Sequence, residues 1–133
     1  MTITIYNGRS APELATSADD AVRGINHLTR DCGSVRYPGE VCRVLGSLAS
    51  LADRLPQAVE QIARLLERWY QAGHLRIDGG QFHDDPAAAT SAASRHLHDD
   101  ALPAAEHLAQ ALADAQSAIA WASYTGPSPD TAE

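Results

Sequence analysis

The sequence predicts a mainly α, three-helix domain dominated by a long antiparallel, proline-kinked helical hairpin, with a minor β element. Two stretches, 39–73 and 86–123, carry apolar residues at helical spacing, and a glycine-rich turn joins them. Alanine, the strongest helix former, is abundant in both. At 133 residues the chain has the length of one domain. We therefore predict a single helical domain over 1–126 and a disordered C-terminal tail over 127–133.

Capping signals place the starts of two helices. Ser10 and Glu13 have the S-x-x-E spacing of a capping box, which predicts a first helix over Ala11–Arg30. Asp85 and Pro86 form an N-cap followed by a proline at the first helical position. The last helix is therefore predicted to begin at Pro86.

The second helix is predicted to start near Pro38 and to be capped by Gly73. Its apolar stripe alternates steps of four and three residues and passes through Pro56 without a slip, which favours one kinked helix over two separate ones. The stripe consists of Val41, Leu45, Leu48, Ala52, Leu55, Val59, Ile62, Leu66 and Trp69.

Two prolines lie at matching positions in the predicted hairpin. Pro56 is 23 residues before Gly79, and Pro103 is 23 residues after Gly80. We therefore expect the two long helices to bend together at that height. We also expect one dry seam between them, formed by Leu45, Leu55, Ile62, Leu66, Leu108, Leu112 and Ile119.

The β element is predicted at two places. Thr2–Tyr6 alternates apolar and polar residues, which is typical of a strand, and Asn7-Gly8 turns the chain. The segment 74–83 alternates as well, and Gly79-Gly80 suits the type I′ turn of a hairpin. The first strand could pair with that hairpin or with its copy in a second chain, since a lone strand leaves backbone groups unpaired.

Charge is unevenly distributed over the chain, whose net charge is -7. Met1–Arg76 is close to balanced, whereas Ile77–Glu133 contains nine acids and a single arginine, Arg95. The acidic last helix either lies beside the arginines of the second helix or meets a basic partner. The net charge makes nucleic acid an unlikely partner, and the short apolar runs exclude a membrane-spanning segment.

The histidines and cysteines do not form a recognisable reactive motif. His96 and Asp100 share a helix face, but no H-E-x-x-H or paired Glu-x-x-His pattern is present. The repeated His-Asp-Asp at 83–85 and 98–100 is explained in its first copy as a helix cap. Cys32 and Cys42 are predicted to be reduced thiols of a cytoplasmic protein, and the alternative is a disulfide between them. We predict no catalytic residues, no cofactor and no metal site, and hence no enzyme.

Aromatic residues near the two ends of the hairpin are the candidate partner surface. Trp69 continues the core stripe, whereas Tyr70 lies off it. Exposed apolar patches on small helical proteins mark protein partners. The candidate surface consists of Trp69, Tyr70, Phe82, Trp121 and Tyr124.

Two resemblances bear on function. The runs 37–41, 44–48 and 54–57 and the opening 85–89 resemble small, uncharacterised, alanine-rich helical proteins of actinobacteria, which implies a fold but no activity. A helical hairpin with a tryptophan near its turn is similar to the WXG100 class of secreted hairpins. In that class the turn contains Trp-x-Gly, whereas here Trp69 is followed by Tyr70-Gln71.

We therefore predict a non-enzymatic helical interaction protein, a homodimeric adaptor or accessory factor in the cytoplasm. Two hairpins pairing into four helices would bury the long stripes better than one short helix. Its partner is itself or another protein. The alternatives are a secreted WXG100-like hairpin and a nucleic-acid-associated regulator.

Overall fold

The computed structural model of the chain describes residues 5–30 and 35–127, and most of these are helical. The fold is mainly α, as predicted, although the last helix is interrupted by a π-helical turn. The helical elements are α1 (Ala11–Arg30), α2 (Pro38–Gln71), α3 (Pro86–Arg95), the π-helical turn (His96–Ala101) and α4 (Leu102–Ala118).

The described residues divide into two compact units. The first contains α1, the first turn of α2 up to Val41, and residues 123–127. The second is Cys42–Ala122, which holds the rest of α2 and all later helices. The prediction of one domain over 1–126 stays a prediction, and the tail beyond Pro127 lies outside the described residues.

The predicted start and end of α1 are confirmed. The Ser10 hydroxyl accepts a hydrogen bond from the Glu13 backbone N–H at 3.4 Å and donates to the Glu13 carboxylate at 3.0 Å. The first of these bonds satisfies one of the backbone N–H groups that the first turn of a helix leaves open, and the second joins the two side chains. The helix is amphipathic, yet none of its residues is buried. Leu14, Val22 and Ile25 of its apolar stripe are half-buried, and Leu28 is 50% exposed.

The β element is absent from residues 5–30 and 35–127, where the only pairing is one isolated bridge between Tyr6 and Arg9. That bridge closes Asn7-Gly8, whose φ angles of 52° and 77° give the type I′ turn. The predicted hairpin over 74–83 is wrong. A type I′ turn needs positive φ at both central residues, and of Gly79-Gly80 only Gly80 has it. Thr2–Thr4 lie outside the described residues.

The second helix runs unbroken through Pro56, as predicted. Proline has no N–H, so Pro56 cannot donate to the carbonyl of Ala52 four residues earlier. At the other end, Gly73 adopts a φ of 74° and the His74 N–H reaches the Trp69 carbonyl at 2.9 Å. These are the features of a glycine-terminated helix.

The π-helical turn lies directly before Pro103. Here the Leu102 N–H donates to the carbonyl of Leu97, five residues back rather than four. The proline ring would crowd the carbonyl of Asp99, and the wider turn relieves that conflict. The two prolines are therefore accommodated differently, by a regular α-helix at Pro56 and by a π-helical turn at Pro103. A shared bend at this height stays a prediction.

The buried residues of the second unit are small. No residue larger than threonine is buried among the described residues. We call these six the small-residue seam: Ala52, Ala63, Thr90, Ala92, Ala105 and Ala109.

The predicted seam of large apolar residues is therefore wrong in its position. Leu55, Ile62 and Leu108 are 39%, 52% and 48% exposed. The other four members, Leu45, Leu66, Leu112 and Ile119, are half-buried. Because alanine lets helix backbones approach closely, the small side chains occupy the centre and the leucines lie beside it.

A close approach between α2 and α4 is fixed by Gly46. The Gln116 side-chain amide donates to the Cys42 carbonyl at 3.1 Å. A Cβ at position 46 would lie 2.5 Å from the Gln116 Nε2 atom. Glycine here therefore provides the space that the Gln116 hydrogen bond occupies.

We predict that Asp85→Ala lowers the free energy of unfolding by about 1 kcal/mol. The Asp85 carboxylate accepts the Ala88 N–H at 3.1 Å and caps α3. Asp85→Asn is the matched control, because its amide oxygen still accepts that bond. Urea denaturation followed by circular dichroism would measure both variants, and equal losses would contradict the capping role.

We predict that Gln116→Ala lowers the free energy of unfolding by about 1 kcal/mol by deleting a partly buried hydrogen bond. Gln110→Ala is the control, since Gln110 only bonds the exposed Asp114 one turn on. Gly46→Ala adds helix propensity of about 1 kcal/mol. That gain should appear only in the Gln116→Ala background, where no amide occupies the space. A gain of equal size in both backgrounds would exclude the close approach.

Candidate interaction surface

An exposed apolar stripe runs along α2 beside the small-residue seam. Its large members recur at steps of four, seven, three and four residues, with Ala58 filling the longer gap. Together with one residue of α4 they form what we call the apolar face, whose large side chains are 39–52% exposed. The members of the face are Leu51, Leu55, Ile62, Leu65, Trp69 and Leu108.

Helical geometry puts Leu108 on the same side as the stripe of α2. A cleft between α2 and α4 is lined by Ser50, Asp53, Glu106 and Gln110. Each residue of an α-helix is rotated about 100° from the one before. Around the buried Ala52 and Ala109, those four polar residues therefore occupy one flank of each helix. The apolar face occupies the opposite flank of both.

The apolar face contains no charge. Between Leu48 and Trp69 the helix positions on this flank are all apolar, and on α4 they are mainly alanine. The exposed alanines beside Leu108 are Ala104, Ala111 and Ala115. Exposed apolar patches of several hundred Å² on small proteins are often functional, so this face is the candidate interaction surface.

A polar cleft of about 430 Å³ lies on the other side of the second unit. Glu67 and Tyr70 of α2 line it together with Thr90 of α3 and His98 of the π-helical turn. Thr90 is buried, and its hydroxyl makes no hydrogen bond. The cleft mixes acidic, basic and hydroxyl groups, so it presents no single charge to a ligand.

The first His-Asp-Asp repeat is placed as predicted, because Asp85 caps α3. The second, at 98–100, is exposed, and its Asp100 carboxylate lies 3.2 Å from the exposed His96 ring one turn earlier. Within residues 5–30 and 35–127, no group of three His, Cys, Asp or Glu side chains is arranged to hold a metal ion.

Of the predicted aromatic surface near the turn, only Trp69 belongs to the apolar face. Trp69 is 43% exposed, so it does not cap a core. Tyr70, about 100° further round α2, lines the polar cleft instead. Phe82 is half-buried in the loop before α3. The three aromatics therefore differ in setting, and their joint role as a partner surface stays a prediction.

The predicted aromatics after α4 fall in different units. Trp121 is 96% exposed and belongs to the second unit. Tyr124 belongs to the first unit, where its ring meets Tyr37 edge to face at 5.9 Å. Its hydroxyl donates to the Pro127 carbonyl at 2.9 Å. Tyr124 thus has local contacts, whereas the Trp121 side chain is almost fully open to solvent.

Two further sequence predictions have partial outcomes. Cys42 is a half-buried free thiol, and Cys32 lies outside the described residues. In the part of the chain that the structure describes, no helix combines the length and apolarity needed to cross a bilayer.

No protein-family model, curated protein or solved structure matches this chain.

Sequence reasoning missed Leu51 and Leu65 as exposed residues. A signal for them was present, because 51, 55, 58, 62, 65 and 69 also alternate steps of four and three. The apolar surface of α2 is simply wider than one stripe. Periodicity alone could not tell which part of it faces another helix.

Proposed function

We propose that the protein is a non-enzymatic helical interaction protein that acts as a homodimer in the cytoplasm. Its body would be an antiparallel, proline-kinked helical hairpin made of α2 and the segment from α3 to α4. The apolar face on this body would be the interaction surface.

The register of shared surfaces supports the hairpin. The Cys42 carbonyl accepts a hydrogen bond from Gln116. Asp53 and Glu106 line the same cleft, and Tyr70 lines another cleft together with Ala87 of α3. As the numbers rise along α2, they fall along the later helices. The members of each pair also lie nearly equally far from Gly79, which is the expected centre of an antiparallel turn.

The apolar face is the single observation that carries the proposed function. Burying apolar surface contributes about 25 cal/mol per Å². The fully buried residues of the second unit are small, and the large side chains of the apolar face are 39–52% exposed. A partner covering the face would supply the burial that the chain itself does not. Association is therefore the use that the described residues favour.

The two alternatives are separated from this proposal by simple tests. A secreted WXG100-like hairpin would be detected in culture supernatant. A nucleic-acid-associated regulator would give a salt-dependent gel shift with DNA, against which the net charge of -7 argues.

We predict that sedimentation equilibrium at micromolar concentration gives twice the chain mass of 14.1 kDa. The dimer should dissociate on dilution with a single midpoint, since one surface holds it together. Size-exclusion chromatography with light scattering would serve as an independent measurement. A strictly monomeric protein at about 100 μM would contradict the homodimer.

A further inference from the structure

We infer that the apolar face is covered by the same face of a second copy, with α2 of each copy packed against α4 of the other. This inference rests on the proposed function and names its surface and geometry. It places the two-fold axis parallel to the helices, between the two faces. The four helices would then form a bundle in which every neighbouring pair is antiparallel.

The area of the apolar face fits a second copy. From Leu48 to Trp69 a helix rises about 32 Å, and two adjacent helices are about 20 Å wide. On α4 the apolar positions run only from Ala104 to Ala115, about 17 Å. At about 10 Å of width for each helix the face measures about 500 Å² per copy, or about 1,000 Å² in the dimer, which is the lower limit for a specific interface. A single docked helix would cover about half of it, and an identical face covers all of it.

The two helices differ in side-chain size in a way that favours this axis. On the apolar face α2 presents leucine, isoleucine and tryptophan, whereas α4 presents Leu108 between Ala104, Ala111 and Ala115. Large residues pack best against small ones. An axis parallel to the helices brings residues 51–55 of each α2 onto the partner's α4, and residues 62–69 onto the partner's π-helical turn and α3. An axis across the helices would stack α2 on α2 and alanine on alanine.

Charge at the rim supports the same axis. Helical rotation puts Arg43 and Arg54 on the outer edge of α2. Asp114 lies on the outer edge of α4, which has no arginine or lysine, whereas Glu106 lies on the polar flank. Pairing α2 with the partner's α4 sets Arg43 at the height of Asp114. Pairing α2 with α2 would instead bring arginine edges together, which is unfavourable.

Charge substitutions on the apolar face test the surface. We predict that Leu55→Asp raises the dissociation constant of the dimer at least 100-fold, because a carboxylate would be buried without a partner against the alanines of the partner's α4. Gln57→Asp is the matched control, since it lies two residues further along the same helix but points away from the face, and it should change the constant less than threefold. Leu108→Asp on α4 should act like Leu55→Asp, with His107→Asp as its control.

Each outcome decides something different. Helical, monomeric Leu55→Asp and Leu108→Asp variants with dimeric controls support the inference. If the wild type is a dimer and either face variant remains a dimer, the surface is wrong while the homodimer stands. If the wild type is a monomer, both the inference and the homodimer fail. Circular dichroism at each step separates lost pairing from lost folding.

Cross-linking tests the orientation. In a background with Cys32 and Cys42 changed to serine, an equimolar mixture of the single variants Leu51→Cys and Leu108→Cys should form a covalent heterodimer on mild oxidation. The proposed axis sets Leu51 of one copy against Leu108 of the other, and in the mixture these two cysteines can meet only between copies. Either single variant alone should stay uncross-linked, since its two copies lie on opposite sides of the axis. A covalent dimer from Leu51→Cys alone, or none from the mixture, would overturn the orientation.

Discussion

The rest of the second unit depends on the small size of the side chains where its helices meet. Ala52 and Ala63 of α2, and Ala105 and Ala109 of α4, are buried, so these helices come close enough for the Gln116 amide to reach the backbone of Cys42. Where two helices are this close, the space between them is too small for a leucine side chain. The leucines next to the small-residue seam therefore lie on the outer flank, where they form the apolar face.

The two prolines affect the same helices by changing their backbone hydrogen bonds. Pro56 follows the most buried residue of α2 by one helical turn and leaves its carbonyl without the usual donor. Pro103 lies one turn after Asp99 in a segment where the helix widens to π geometry. A π-helical turn adds a residue to one turn and rotates the rest of the helix about its axis. This rotation sets which flank of α4 carries Leu108 and which carries Glu106 and Gln110.

The separation of polar and apolar flanks gives the second unit its functional character. One side offers mixed polar clefts around Asp53, Glu67 and His98. The other side offers a continuous apolar surface without charge. The fully buried side chains of this unit are small, and several large ones are 39–52% exposed on the apolar face. This exposure is the observation behind our proposal that the protein associates with a partner.

Local sequence signals determined the helix ends and the turn chemistry. The capping box at Ser10, the Asp85 cap and the Gly73 terminus all act within one or two turns, so a short stretch of sequence contains the whole cause. Tertiary structure decided that alanines, and not leucines, are the buried residues. An apolar surface wider than one stripe leaves several ways for helices to face each other, and only packing selects among them. Gly79-Gly80 is a pair typical of a tight hairpin turn, but it does not form one here. A two-stranded hairpin is only marginally stable without a sheet or helix to support it, so the local sequence could not decide this turn.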